Sequence, residues 1–254
     1  MGDGEHIDRL DLDLPVDQER QIMSLAATGT PTIVVLQAGS CVTMEKWVHS
    51  IPAILMAWYP GEQGGGAIAD ILLGHCNPSG KLPLTFYRSV RQLPRFDEYD
   101  IRRAGITYLY LRDEPQFPFG HGLSYTHFAY SGLAVSPQAT AGEDVTVQFQ
   151  ITNTGQREGA EVVQVYVHDQ ERSTGDQPIK QLVGFQKVWL RPGETRTVTL
   201  AIEMIPTQGG AQAIASCDVS MRWKLLKPVA AFFLRSVLTR ILTYADKMVA
   251  QRAA

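Results

Sequence analysis

The chain has 254 residues, of which 44% are hydrophobic and 19% charged, and its formal net charge is −3. That length and balance suit two globular domains with at least one sizeable core, and they give no reason to expect nucleic acid as a partner. The three cysteines, Cys41, Cys76 and Cys217, are too far apart for a C-x-x-C zinc or redox motif and too few for a disulfide framework.

The first residues, MGDGEHIDRLDLDLP, are acidic, not a basic region ahead of an apolar one. No signal peptide is read there, so the default expectation is a cytoplasmic protein. Asp3, Glu5, Asp8, Asp11 and Asp13 crowd this loop before a helix, where carboxylates are commonly solvated and favoured by the helix dipole. Residues Pro15 to Ala27 read as that helix, with Ile22, Met23, Leu25 and Ala26 clustering. TIVVLQAG (Thr32 to Gly39) and AILMAWY (Ala53 to Tyr59) read as buried strands, with a short helix around Met44 to Val48 between them. GGAIADILLG is a further helix, stopped by Gly74. Buried strands joined by helical crossovers predict a parallel sheet in an α/β layer. Two strands make a poor sheet, so a partner chain or further residues are expected to complete it.

The glycine cluster in WYPGEQGGGAIADILLG raises the question of phosphate binding. Gly61 and Gly66 have P-loop spacing, but Ala67 and Ile68 stand where Lys and Ser/Thr are needed. The turn is therefore read as one that lets a helix pack closely on a sheet. G-x-S-x-G and H-E-x-x-H are both absent, and His75 and His168 read as surface residues.

Asn77 to His127 reads as an ordered connector, because Phe117, Phe119 and Tyr125 call for burial. From Phe128 to Glu203 the hydrophobic period is two. Val145, Val147, Phe149 and Ile151 share one face, as do Val163, Val165 and Val167. Turns fall at TNTGQREG and RPGE. Five or six such strands predict an immunoglobulin-like β-sandwich. After Glu203 the strand pattern fades. Seven Lys/Arg against one acid make residues 220–254 +6 and the remainder −9. From Pro228 apolar residues recur at helical spacing, giving an amphipathic helix with a basic outer face. Its longest apolar run is far short of a membrane span.

The order DLDLP, VVLQAGSCVTMEKWVHSIPAILMAWYPGEQGGGAIADILLGHCNPSGKLPLTF, FPFGHGLSYTHFAYSGL and ITNTGQREGAEVVQVYV resembles glycoside hydrolase family 3, of the β-glucosidase type, from Gly2 to about Glu203. The resemblance implies a partial α/β-sandwich domain (1–85), a connector (86–127), a fibronectin type III-like domain (128–204) and an atypical tail (205–254). It also implies retaining hydrolysis of a terminal β-glycosidic bond, without cofactor or metal. Family enzymes take an aspartate nucleophile from a (β/α)8 barrel and a glutamate acid/base from a loop of the α/β-sandwich. That loop often reads S-G-E-G-x-D-R. Here it reads DGEHIDR, which aligns Glu5 with the acid/base and Asp8 and Arg9 with loop-shaping positions. Cys41 stands where proline is common.

Retaining hydrolysis needs two carboxylates about 5–5.5 Å apart. The barrel and the first half of the α/β-sandwich are not among these residues, so the chain by itself is expected to be inactive. An oligosaccharide substrate is expected only with a barrel supplied. Two alternatives remain open. One is a non-catalytic scaffold or carbohydrate-binding sandwich, for which Trp189, Tyr166 and Phe185 are candidate stacking aromatics. The other is membrane-surface attachment through the basic tail.

Overall fold

The structure is a computed structural model. It describes residues 11–136, 143–168 and 177–203, and the backbone of 216–219. The tail helix expected from Pro228 lies outside the described residues.

The α/β part begins with α1 (Val16–Ala27), which Pro15 precedes and Asp17 and Glu19 favour in its first turn. Ile22 and Ala26, one turn apart, pack against the core, whereas Met23 and Leu25 are exposed. β1 (Ile33–Leu36) and β2 (Ala53–Met56) pair in parallel, with Ile33 opposite Ala53 and Leu36 opposite Met56. α2 (Gly64–Leu72) follows, and Gly74 at φ +76° ends it.

Two expectations need correction here. The helix around Met44 to Val48 is a turn running into a 3₁₀ segment, Val48–Ser50. Met44 and Trp47 are almost wholly buried. The backbone folds over them through Trp47 N–H to Met44 O (3.1 Å) and Ser50 N–H to Trp47 O (3.0 Å), and Pro52 stops further winding. The strands are also half-buried and not fully buried, except at Leu36. Among the described residues each has a neighbouring strand on one side only.

The glycine turn does serve close packing. Gly61 sits at φ +71°, and a Cβ on Gly64 would come within 2.5 Å of the Pro60 ring.

The core of this part is Leu36, Cys41, Met44, Trp47, Ile51, Phe86 and Tyr87. The connector lies against it. Phe86 N–H donates to Phe117 O (2.9 Å), and Leu82 N–H donates to His121 O (2.7 Å). The rest of the connector carries a 3₁₀ turn (Val90–Gln92) and two single-turn helices, α3 (Ile101–Ala104) and α4 (Thr107–Tyr110). Phe117, Phe119 and Tyr125 are half-buried, as ordered packing requires.

The second part is a sandwich of two antiparallel sheets. One has the order β3 (Phe128–Val135), β4 (Asp144–Asn153), β7 (Thr195–Glu203). The other has β6 (Gln181–Leu190), β5 (Gly159–His168), β8 (Ser216–Val219). Val145, Val147, Phe149 and Ile151 of β4 face Val163, Val165, Val188 and Leu190, all nearly inaccessible. The fading of strand signal after Glu203 is corrected by β8, whose Val219 lies opposite Val165 and Ser216 opposite His168. Four residues with no alternating pattern form it because β5 offers an open edge.

The two parts are joined by side chains. Lys81 Nζ reaches Glu161 Oε1 at 3.0 Å and Oε2 at 3.1 Å, and it also donates to Gly122 O (3.0 Å). Asn77 accepts from Tyr125 N–H (2.8 Å) and donates to Glu158 O (3.0 Å). Tyr125 Oη donates to Ile71 O (2.8 Å), Arg157 to Gly74 O (3.3 Å) and Gln164 to Gly120 O (3.2 Å). Asn153, fully buried, accepts from Thr126 Oγ1 and donates to the carbonyls of Arg157 and Leu190.

Candidate functional site

Glu5, with Asp3, Asp8 and Arg9, lies outside the described residues. The structure shows how the chain emerging from that loop is held. Asp11 Oδ1 accepts from Asp13 N–H at 3.0 Å, a local turn that sets the direction of the following residues. Asp13 then forms a parallel bridge with Thr43, and Thr43 N–H donates to Leu12 O at 2.8 Å. Leu12 and Leu14 pack into the core on either side of Asp13. This is strand alternation in miniature: two leucines inward, the carboxylate outward.

That carboxylate is the centre of a small polar network. It accepts from the hydroxyl of Thr43, a residue 2% exposed, and from Lys46 Nζ at 2.5 Å. Lys46 reaches on to Glu19 Oε2 at 3.1 Å, tying α1 into the same group. Burial raises the Asp13 pKa, but the hydrogen bonds from Lys46 and Thr43 outweigh it and hold the carboxyl below its usual range. Hydrogen bonds to Asp13 and Glu19 hold Lys46 above its ordinary value. Asp13 is therefore a carboxylate held in its ionised form by Lys46 and Thr43, while still partly exposed. Sequence reasoning missed it because its partners, Thr43 and Lys46, lie 30 and 33 residues away.

The network sits beyond the carboxyl end of β1, the side on which open α/β sheets commonly hold ligands. The segment after β2 lies near the one after β1. Trp58 takes φ 53°, rare for so bulky a residue, and Tyr59 is 69% exposed with its ring over Gly39. A Cβ on Gly39 would come within 2.7 Å of that ring.

On the sandwich the candidate aromatics separate clearly. Tyr166 is 4% exposed, covered by the connector through Tyr108. Phe185 and Trp189 are 67% and 55% exposed. They stand on the outer face of β6, with Lys187 between them and its Nζ 5.7 Å from the Trp189 ring. Among the described residues no cluster of His, Cys, Asp or Glu is arranged to hold a metal ion.

The glycosyl hydrolase family 3 C-terminal domain matches residues 2–125, and the fibronectin type III-like domain matches residues 161–206. A xylan 1,4-beta-xylosidase of Xylanibacter ruminicola is 40% identical over 195 residues, covering 77% of this chain and 22% of that protein. A periplasmic beta-glucosidase of Salmonella typhimurium is 41% identical over 209 residues, covering 77% of this chain and 27% of that protein. Beta-glucosidase 3B from Thermotoga neapolitana, solved with glucose, superposes with a TM-score of 0.69 at 36% identity, over 77% of this chain and 29% of that one. Beta-D-glucoside glucohydrolase from Trichoderma reesei gives 0.70 at 30% identity, over 78% and 31%. The chain thus spans about a quarter of the length of the curated relatives it matches. With its α/β part and its sandwich both matched, the chain belongs to glycoside hydrolase family 3, carrying that family's C-terminal domain and a fibronectin type III-like domain.

Proposed function

We propose that the chain supplies the acid/base side of a retaining β-glycosidase site acting on terminal β-glucosides or β-xylosides. Glu5 is the proposed acid/base, protonating the leaving oxygen and later deprotonating water. The observation that carries this reading is the clamp on Asp13, eight residues after Glu5. The loop proposed to bear the catalytic carboxylate is rooted on a fixed strand, and a general acid needs such a root. The aspartate nucleophile is proposed to come from a barrel that docks on this domain.

The test uses a complex of the chain with a barrel-containing polypeptide. Glu5→Gln is expected to depress turnover of glycosides with poor leaving groups far more than of activated aryl glycosides. Only the poor leaving groups need protonation. Equal loss on both would remove Glu5 from the acid role.

A second reading, a carbohydrate-binding sandwich, is favoured by the exposed Phe185 and Trp189. Rings four residues apart on a strand lie about 13 Å apart. An exposed pair of this kind, with Lys187 between the rings, suits stacking against sugar rings.

A further inference from the structure

On the connector, Arg91, Arg102, Arg103 and Arg112 line one open cavity of about 490 Å³. Its walls come from the 3₁₀ turn, α3, the residues after α4, and the approach to β6 at Gln177 and Ile179. Two of the arginines are engaged by a carboxylate, and Arg91 Nε donates to Ser89 Oγ at 3.5 Å. Arg102 pairs with Asp100 at 3.1 Å, and Arg103 lies 3.9 Å from the same carboxylate. For Arg91 and Arg112 there is no ion pair among the described residues. The lining carboxylate is Asp113, so the positive charges outnumber it four to one. A second feature lies at the rim: Gln177 Oε1 is buried with no hydrogen-bond partner among the described residues. A buried carbonyl of that kind wants an O–H or N–H donor. Tyr110 and Leu111 add an apolar wall.

A simple anion without an O–H, such as chloride or sulfate, would answer the arginines but not Gln177. A neutral sugar would answer Gln177 but not the arginines. We propose that this cavity binds an acidic sugar, a pyranose bearing a carboxylate. The carboxylate lies against Arg91 and Arg112, a ring hydroxyl donates to Gln177, and the ring face rests on the Tyr110 side. The volume is within the usual range for small-molecule sites, about 300–1,000 Å³. Guanidinium groups match carboxylates in geometry as well as in charge. The choice of a sugar over other hydroxylated acids rests on the proposed glycosidase reading.

The experiment is calorimetric titration of the 254-residue chain with D-glucuronate, D-glucose and inorganic phosphate. Glucuronate is expected to bind saturably and more weakly as salt is raised. Glucose is expected to bind at least about tenfold more weakly, and the Arg91→Gln/Arg112→Gln pair to lose about tenfold in glucuronate affinity. Asp113→Asn should strengthen binding, an arm that does not depend on a weakened variant. Phosphate binding as tight as glucuronate, or glucose binding as tight, would overturn the assignment. So would binding that emerges only when Asp169, Glu171 and Asp176 are neutralised, since the arginines would then answer the chain's own acids. Failure of the Glu5 test leaves these titrations unaffected, so the two readings fail separately.

Discussion

Lys81 and Glu161 form a two-pronged ion pair at 3.0 and 3.1 Å between the α/β part and the sandwich, with side chains only 11% and 10% exposed. Tyr130 adds a hydrogen bond to Glu161 at 3.3 Å. Burial raises the Glu161 pKa, an effect that Lys81 and Tyr130 only partly offset. Lys81→Met leaves that carboxylate buried without its counter-charge. The expected loss is about 3 kcal/mol. A group whose folded pKa is raised loses its stabilising contribution as pH rises through that value. The variant's deficit should therefore be larger at pH 8 than at pH 5. Calorimetry should also show two transitions in place of one, because the pair joins the two parts. A single transition with an unchanged midpoint would count against this account.

His121 tests the same region from the acid side. Burial, with Lys81 nearby, lowers its pKa from 6.5 to about 4. The folded state thus resists a proton that the unfolded chain accepts. Stability is complete above about pH 6.5 and is lost as pH falls toward 4, by up to about 3 kcal/mol. Chemical denaturation of wild type and His121→Gln between pH 4 and pH 7.5 should show the wild type falling more steeply. Parallel curves would mean that the ring titrates normally.

Asp13→Asn should cost about 1 kcal/mol or less, since Asp13 and Lys46 are partly exposed and screened by solvent. The lowered pKa places this contribution above the carboxyl's unfolded value, and it fades as pH falls through the folded one. Melting curves of the two proteins should therefore converge below about pH 3 to 4. A gap that stays constant down to that pH would argue against ionised Asp13 as the clamp.

Amide hydrogen exchange should be faster in Ile33–Leu36 than in Val163–Val167. β5 is hydrogen-bonded on both sides, by β6 and β8, whereas among the described residues β1 pairs with β2 alone. The reverse order would indicate a partner chain completing the parallel sheet.

Phe185→Ala/Trp189→Ala should abolish retardation of the chain in gels containing soluble β-glucan or xylan, with the melting temperature unchanged or raised. Both rings are largely exposed, so their removal exposes no core. Equal migration of wild type and variant would dispose of the stacking platform.

Much of the sandwich was legible because β4 alternates strictly. Val145, Val147, Phe149 and Ile151 need only their own sequence to declare a face. Tyr166 was not legible. It stands on the face of β5 turned away from the sandwich core, and what buries it is the connector's Tyr108, distant in sequence. β8 was hidden for a different reason, since an open neighbour and not its own residues makes it a strand. At the candidate site, the proposal for DGEHIDR rests on likeness. The Asp13–Thr43–Lys46 group was not legible, because non-local contacts leave no local signal.

The joint between the two parts has one further property. Tyr125, Arg157, Asn77, Lys81 and Gln164 all donate to main-chain carbonyls, at Ile71, Gly74, Glu158, Gly122 and Gly120. A carbonyl is supplied by every amino acid. At Ile71 and Glu158 the receiving residue can therefore drift in identity while the path of the chain is kept, whereas a Cβ on Gly74, Gly120 or Gly122 would run into Arg157, Gln164 or the Gly80 carbonyl. Substitution pressure falls on the donors, on Glu161 opposite Lys81 and on these three glycines, so the sandwich can acquire a new outer surface while the seam stays fastened.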